Sequence, residues 1–123
     1  MKKLTLLALA ALLVMPSTVL AQQRTVEGEL VDSLCTLGMG ASGEGHKECA
    51  IRCATAGFPV GVMTADGEHL ALLSPADAFK DYMALQIRVT GNVNAEAATI
   101  APTKVEANQD GTWVELSLPA MPM

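Results

Sequence analysis

Three cysteines and one histidine fall within nineteen residues, Cys35 to Cys53, and this cluster constrains the chain more than any other feature. The segment reads Asp32-Ser33-Leu34-Cys35, then a glycine-rich run, then Gly45-His46-Lys47-Glu48-Cys49-Ala50-Ile51-Arg52-Cys53. Thiolates are soft ligands and imidazole is a borderline one, and together they form the donor set of a zinc or copper(I) site. The same residues also suit one disulfide plus a spare thiol. In either case Cys35 is tied to the residues around Cys49 and Cys53, so the fold must return the glycine loop onto the segment that follows it.

The first 21 residues have the layout of a signal peptide. Lys2 and Lys3 precede an apolar run from Leu4 to Met15, too short to span a bilayer as a helix, and Pro16-Ser17 ends it. Val19 and Ala21 supply small residues for cleavage before Gln22. The residue directly after that point is Gln22 and not a cysteine, which argues against a lipid anchor. A periplasmic or secreted protein is therefore expected, with residues 1–21 as signal peptide and 22–123 as one domain. Beyond the leader, six basic residues face thirteen acidic ones. That balance disfavours nucleic acid and anionic membrane surfaces as partners and suits a metal ion or a basic periplasmic protein. An oxidising compartment also favours paired thiols, which makes an odd cysteine count informative.

The pattern of elements predicts a mainly β fold with two short helices. Strands are expected at Thr25–Asp32, Pro59–Ala65, Glu68–Leu73, Leu85–Val93, Thr99–Ala107 and Thr112–Leu118. Asp66-Gly67 and Asp110-Gly111 are hairpin signals. Leu34–Gly45, with four glycines, reads as a flexible loop. Glu44–Ala56 reads as the Cys/His-bearing helix, stopped by Gly57 and Pro59. Ser74-Pro75-Ala76-Asp77 reads as the capped start of a second helix running to Met83. Without the cysteine helix, the order is three strands, a helix and two strands, followed by one more strand. That order suits an OB-like small β-barrel, with the cysteine helix inserted between the first and second strands beside the usual binding face.

The pattern Asp32-x-x-Cys35, Gly45-His46-x-x-Cys49-Ala50-x-x-Cys53, Gly57-x-Pro59 resembles that of small secreted bacterial proteins of unsettled function. The resemblance covers Gly28 to about Leu73. It implies that the Cys/His set is a family motif, and it supplies no reaction.

Helical spacing decides which ligands can meet. Cys49 and Cys53 are four apart and share a helix face, and His46 lies three before Cys49. His46 and Cys53, seven apart, are separated by about 10 Å along a helix axis, so one ion touching both needs His46 outside the helix. Gly45 permits that. The expected metal ligands are Cys35, Cys49, Cys53 and His46, with Asp32 accepting the second ring N–H of His46. A closed Cys3His site binds, carries or senses metal and leaves no position for a reacting water, so no catalytic residue is assigned. The alternatives are a disulfide-stapled OB-like module that binds a partner protein or small ligand, and a thiol redox protein. In the stapled module Cys35 pairs with Cys49 or Cys53. No C-x-x-C redox motif and no oxyanion hole can be located to support a thiol enzyme. His69 reads as a strand residue of the surface. Met39, Met121 and Met123 read as gap-filling or loose methionines before they read as copper ligands. Trp113, Phe58, Phe79 and Tyr82 are the only aromatics, too few for a surface that stacks nucleobases.

Overall fold

A computed structural model describes residues 22–120. The signal-peptide expectation for residues 1–21 lies outside the described residues, as do Met121 and Met123. Six strands form one sheet: β1 (Gln22–Asp32), β2 (Val60–Met63), β3 (His69–Leu72), β4 (Gln86–Asn94), β5 (Thr99–Gln109) and β6 (Thr112–Glu115). The spatial order is β3-β2-β1-β4-β5-β6. All neighbouring pairs in that order are antiparallel. A parallel pairing of β3 with β5, Ala71 opposite Thr99 and Leu72 opposite Ile100, closes the first five strands into a barrel. Closure removes the sheet edges that a small β domain would otherwise expose. The result is the OB-like barrel anticipated from element order, with β6 added to β5 as a hairpin.

Alternation builds the core. Ile87, Val89 and Val93 of β4 point inward and are at most 5% exposed, as are Val26 and Leu30 of β1 and Val60 and Val62 of β2. Phe79 and Met83 plug one end of this core from the segment between β3 and β4. That segment is a 3-10 helix, Ala76–Tyr82, where an α-helix from Ser74 to Met83 was expected. Ser74 makes no cap there; Pro75, with extended ψ, stands at the N-cap position. Of the aromatics, Phe79 is core, Phe58 is largely exposed, and Trp113 lies under the guanidinium of Arg88 at 4.1 Å.

Two glycines let neighbouring backbone come close to β1 and β4. A Cβ on Gly28 would stand 2.2 Å from the carbonyl oxygen of Met63, and one on Gly91 would stand 2.2 Å from that of Ala101. Gly91 also marks a register shift, because Thr90 faces Lys104 while Gly91 faces Pro102. Thr103 is the extra residue of this bulge, and its hydroxyl donates to Thr90 O at 3.1 Å. The proline in β5 is thus accommodated where the ladder is already broken.

The residues between β1 and β2 hold more helix than the sequence suggested. α1 (Ser33–Met39) occupies the first half of the expected glycine loop, and α2 (Lys47–Thr55) follows a 3-10 turn, Glu44–His46. Asp32 caps α1, accepting the Cys35 N–H at 2.7 Å, and Gly40 ends it in a left-handed conformation at φ 68°. These two signals outweigh the glycine content of the run. The two DG turns also differ. Asp110-Gly111 is a two-residue turn with both φ values positive, whereas β2 and β3 are joined by the longer loop Thr64–Glu68. α2 buries Ala50 and Ala54 against the barrel, which leaves Cys49 and Cys53 one step around the helix, half-buried.

Backbone crowding at these glycines gives a direct test. Gly91→Ala should lower stability in urea by about 1–3 kcal/mol or more, since the clash is with backbone that cannot step aside. Gly38→Ala, in α1 with open space around the added methyl, should be neutral or slightly stabilising. Equal effects at both positions would contradict the steric account.

Candidate metal centre

α1 and α2 meet at the cluster. Cys35 comes from α1 and is 7% exposed; Cys49 and Cys53 come from the inner side of α2. Their Sγ atoms all lie within 4.8 Å of one another, and no disulfide joins them. A second group, Asp32, Cys35 and His46, also lies within 4.8 Å. The two groups share Cys35, so the structure brings together the three cysteines and sets His46 beside Asp32, grouped with Cys35 but not with all three sulfurs.

The placement of His46 follows from its backbone. It ends the 3-10 turn and stands at the N-cap of α2, outside the α-helix, as the spacing argument required. Its Nε2 lies 2.7 Å from Asp32 Oδ2. Asp32 is fully buried and uses its other oxygen to cap α1. One buried carboxylate therefore fixes both the helix that carries Cys35 and the imidazole that flanks it. The loop between the helices is held in the same way, with Gly43 N–H donating to Glu29 Oε1 and the Thr36 hydroxyl to Ala41 O. Among the described residues, no buried side-chain polar atom lacks a partner.

The electrostatics favour neutral thiols. Burial, then the hydrogen bond to Asp32 and the charge of Asp32, push the Cys35 thiol up to about 12. Burial also pushes Cys53 up, reinforced by Asp32 and opposed by its contact with Cys35. Neither thiol is prepared as a nucleophile at neutral pH, since the reactive form is the thiolate. A bound cation would supply the positive charge that the three sulfurs lack.

His69 stands apart from both groups. It is half-buried in β3, and its Nε2 lies 3.0 Å from the Ser33 hydroxyl at the start of α1. Gly61 makes room for the ring, because a Cβ there would come within 2.4 Å of Nε2. Burial pushes the imidazole below the ordinary histidine range. Sequence reasoning placed His69 on the surface and missed this tie between β3 and α1; no spacing signal links Ser33 to His69. Met39 is 73% exposed at the end of α1.

Comparison with protein-family models, with curated proteins and with solved structures finds no match.

Asp32 and His69 yield separate predictions. Asp32→Ala removes a helix cap and strands a part-buried imidazole, so it should cost about 2–4 kcal/mol, read as a fall in the urea midpoint. Because the folded-state value of His69 lies below its unfolded value, the unfolded chain takes up the proton first on acidification. The stability this represents is present above about pH 6.5 and is lost as pH falls through the folded-state value. Urea unfolding between about pH 8 and pH 5 should show that loss, and His69→Gln should flatten it. An unchanged slope in the variant would assign the loss to other groups.

Proposed function

We propose that this is an exported protein that binds a soft or borderline metal ion, zinc or copper(I), through the sulfurs of Cys35, Cys49 and Cys53. The observation that carries this reading is the convergence of three thiols from two helices within 4.8 Å. Tetrahedral zinc with Zn–S bonds of 2.3 Å places its sulfurs about 3.8 Å apart, so the cluster needs only a small contraction to close on an ion. The donor set suits such metals, because thiolates select zinc and copper(I) over hard cations. Three sulfurs suffice for copper(I). Zinc takes four ligands, and His46 is the candidate for the fourth: it is grouped with Cys35 and Asp32 and not with all three sulfurs, so it has to move toward Cys49 and Cys53 to complete the shell, through Nδ1 if Asp32 keeps Nε2.

The chain's own residues have defined parts in this reading. Cys35, Cys49 and Cys53 give up protons and hold the ion. Asp32 orients His46 and sets the depth of Cys35. Arg52 and Lys47 lie on α2, the helix that carries two of the sulfurs, and keep that element from being uniformly acidic. The acidic balance of the chain suits capture of a cation, and the motif resemblance supports treating the Cys/His set as one unit. The role is to bind, carry or sense metal.

Titration of the reduced protein with zinc, and separately with copper(I), should reach one equivalent and release protons, because the thiols must ionise to bind. Binding at 100-fold excess over the dissociation constant should stabilise the fold by about 2.7 kcal/mol, and a chelator should reverse this. Asp32→Asn should weaken zinc binding by about 10- to 100-fold while sparing the sulfurs. Serine at any of the three cysteines should weaken it further. Failure of the reduced wild-type protein to bind either metal would sink the proposal.

A further inference from the structure

The same three sulfurs that suit a metal also lie within reach of one another for a covalent bond. We propose that Cys35 and Cys53 form a reversible disulfide between α1 and α2 that excludes the metal, so that the cluster is a thiol switch with a metal-bound reduced state and a stapled, metal-free oxidised state. This inference rests on the metal reading of the same site.

Geometry selects the pair. Cys49 and Cys53 lie on one α-helix, four residues apart, where the Cβ directions do not converge well for a disulfide. A bond from Cys35 to α2 crosses between two short elements that can adjust. Both α2 sulfurs lie within 4.8 Å of the Cys35 sulfur, and of the two it is Cys53 that acts more strongly on the Cys35 thiol, which marks it as the partner. Asp32 holds the Cys35 backbone at the start of the seven-residue α1, so the adjustment that brings two sulfurs to bonding distance falls on side-chain rotation and on α2. One disulfide uses two of the three sulfurs. The remaining Cys49 cannot hold a zinc or copper(I) ion by itself, so oxidation and metal binding compete for the same atoms.

The chemistry balances with an external disulfide as oxidant. In the metal-loaded protein the thiol protons have already been released on binding, and Cys53, half-buried and more accessible than Cys35, attacks one sulfur of the oxidant as its thiolate and expels one external thiolate. The Cys35 thiolate then attacks the Cys53 sulfur of the mixed disulfide and expels the second thiolate. Two electrons pass from the two cysteines to the oxidant, one protein S–S bond replaces one external S–S bond, and the metal departs as an unchanged cation. A reducing dithiol runs the exchange backwards.

The test uses the full mature chain, zinc-loaded, with oxidised glutathione as the probe. Intact mass, peptide mapping and a zinc indicator are read together. The expected result is loss of the mass of two hydrogens, a single Cys35–Cys53 link, one zinc released per link, and Cys49 still open to alkylation. Dithiothreitol should restore zinc binding. Cys49→Ser, which leaves the proposed pair intact, should still form the link, whereas Cys53→Ser should not form an intramolecular link. Zinc retained by fully linked protein would overturn the switch while leaving metal binding in place. A Cys35–Cys49 or Cys49–Cys53 link, a cross-linked dimer, or zinc released with no internal link would also overturn it. If the reduced protein takes up no zinc before oxidant is added, the metal reading fails first and the switch fails with it.

Discussion

The buried carboxylate of Asp32 is the interaction on which the rest of this site depends. Asp32 is the last residue of β1 and pairs across the ladder with Val60. Its side chain is fully buried, and each oxygen has its own partner: the Cys35 N–H and the His46 ring. A buried charge persists only where such partners are supplied. The same group therefore ends the strand, starts α1, and anchors the turn that leads into α2. Cys35 reaches its depth because Asp32 sets the first turn of its helix, and the strap from Gly40 to His46 closes over it because Asp32 holds the far end.

The barrel supplies the rigid floor for this arrangement. β1 runs from β4 onto β2, and Gly28 lies where the Met63 backbone comes close. The β3–β5 pairing then closes the sheet, so the stretch between β1 and β2 is attached at both ends to a structure without slack. α2 packs chiefly against the Ala76–Tyr82 segment and next against β1, with Ala50 and Ala54 buried in the shared core. Cys49 and Cys53 immediately precede these alanines, so their i, i+4 spacing repeats the packing stripe one step round. The sulfurs sit at the edge of the core, sheltered but reachable.

That position also explains the chemistry. Burial and the neighbouring carboxylate hold the Cys35 and Cys53 thiols in their protonated forms, which quiets them as nucleophiles. Two agents can change this state: a cation that stabilises the sulfurs as thiolates, or an oxidant that joins two of them. Both draw on the same small set of atoms.

Much of this was legible from the chain alone. Inward-facing Ile87, Val89 and Val93, the DG turns and the order of elements determined a small β-barrel, because side-chain alternation and turn chemistry are local. The spacing of Cys49 and Cys53 likewise determined that they share a helix face, whereas His46, drawn inside a helix from Glu44, was required to leave it only if one ion touched both it and Cys53; the structure sets it in the 3-10 turn before α2. Local pattern could not reveal that the glycine-rich run opens with a helix, although Asp32 and Gly40 were in place as its caps. Nor could it reveal the 3-10 character of Ala76–Tyr82 or the bond between Ser33 and His69, which are thirty-six residues apart. The grouping of the three sulfurs and the contact of His46 with Asp32 were expected from the motif, but that His46 is not grouped with all three sulfurs was decided by the tertiary structure. Those contacts depend on how far β1 runs before its carboxylate is buried and on where barrel closure sets the floor beneath α2, and no local spacing in the chain encodes either distance.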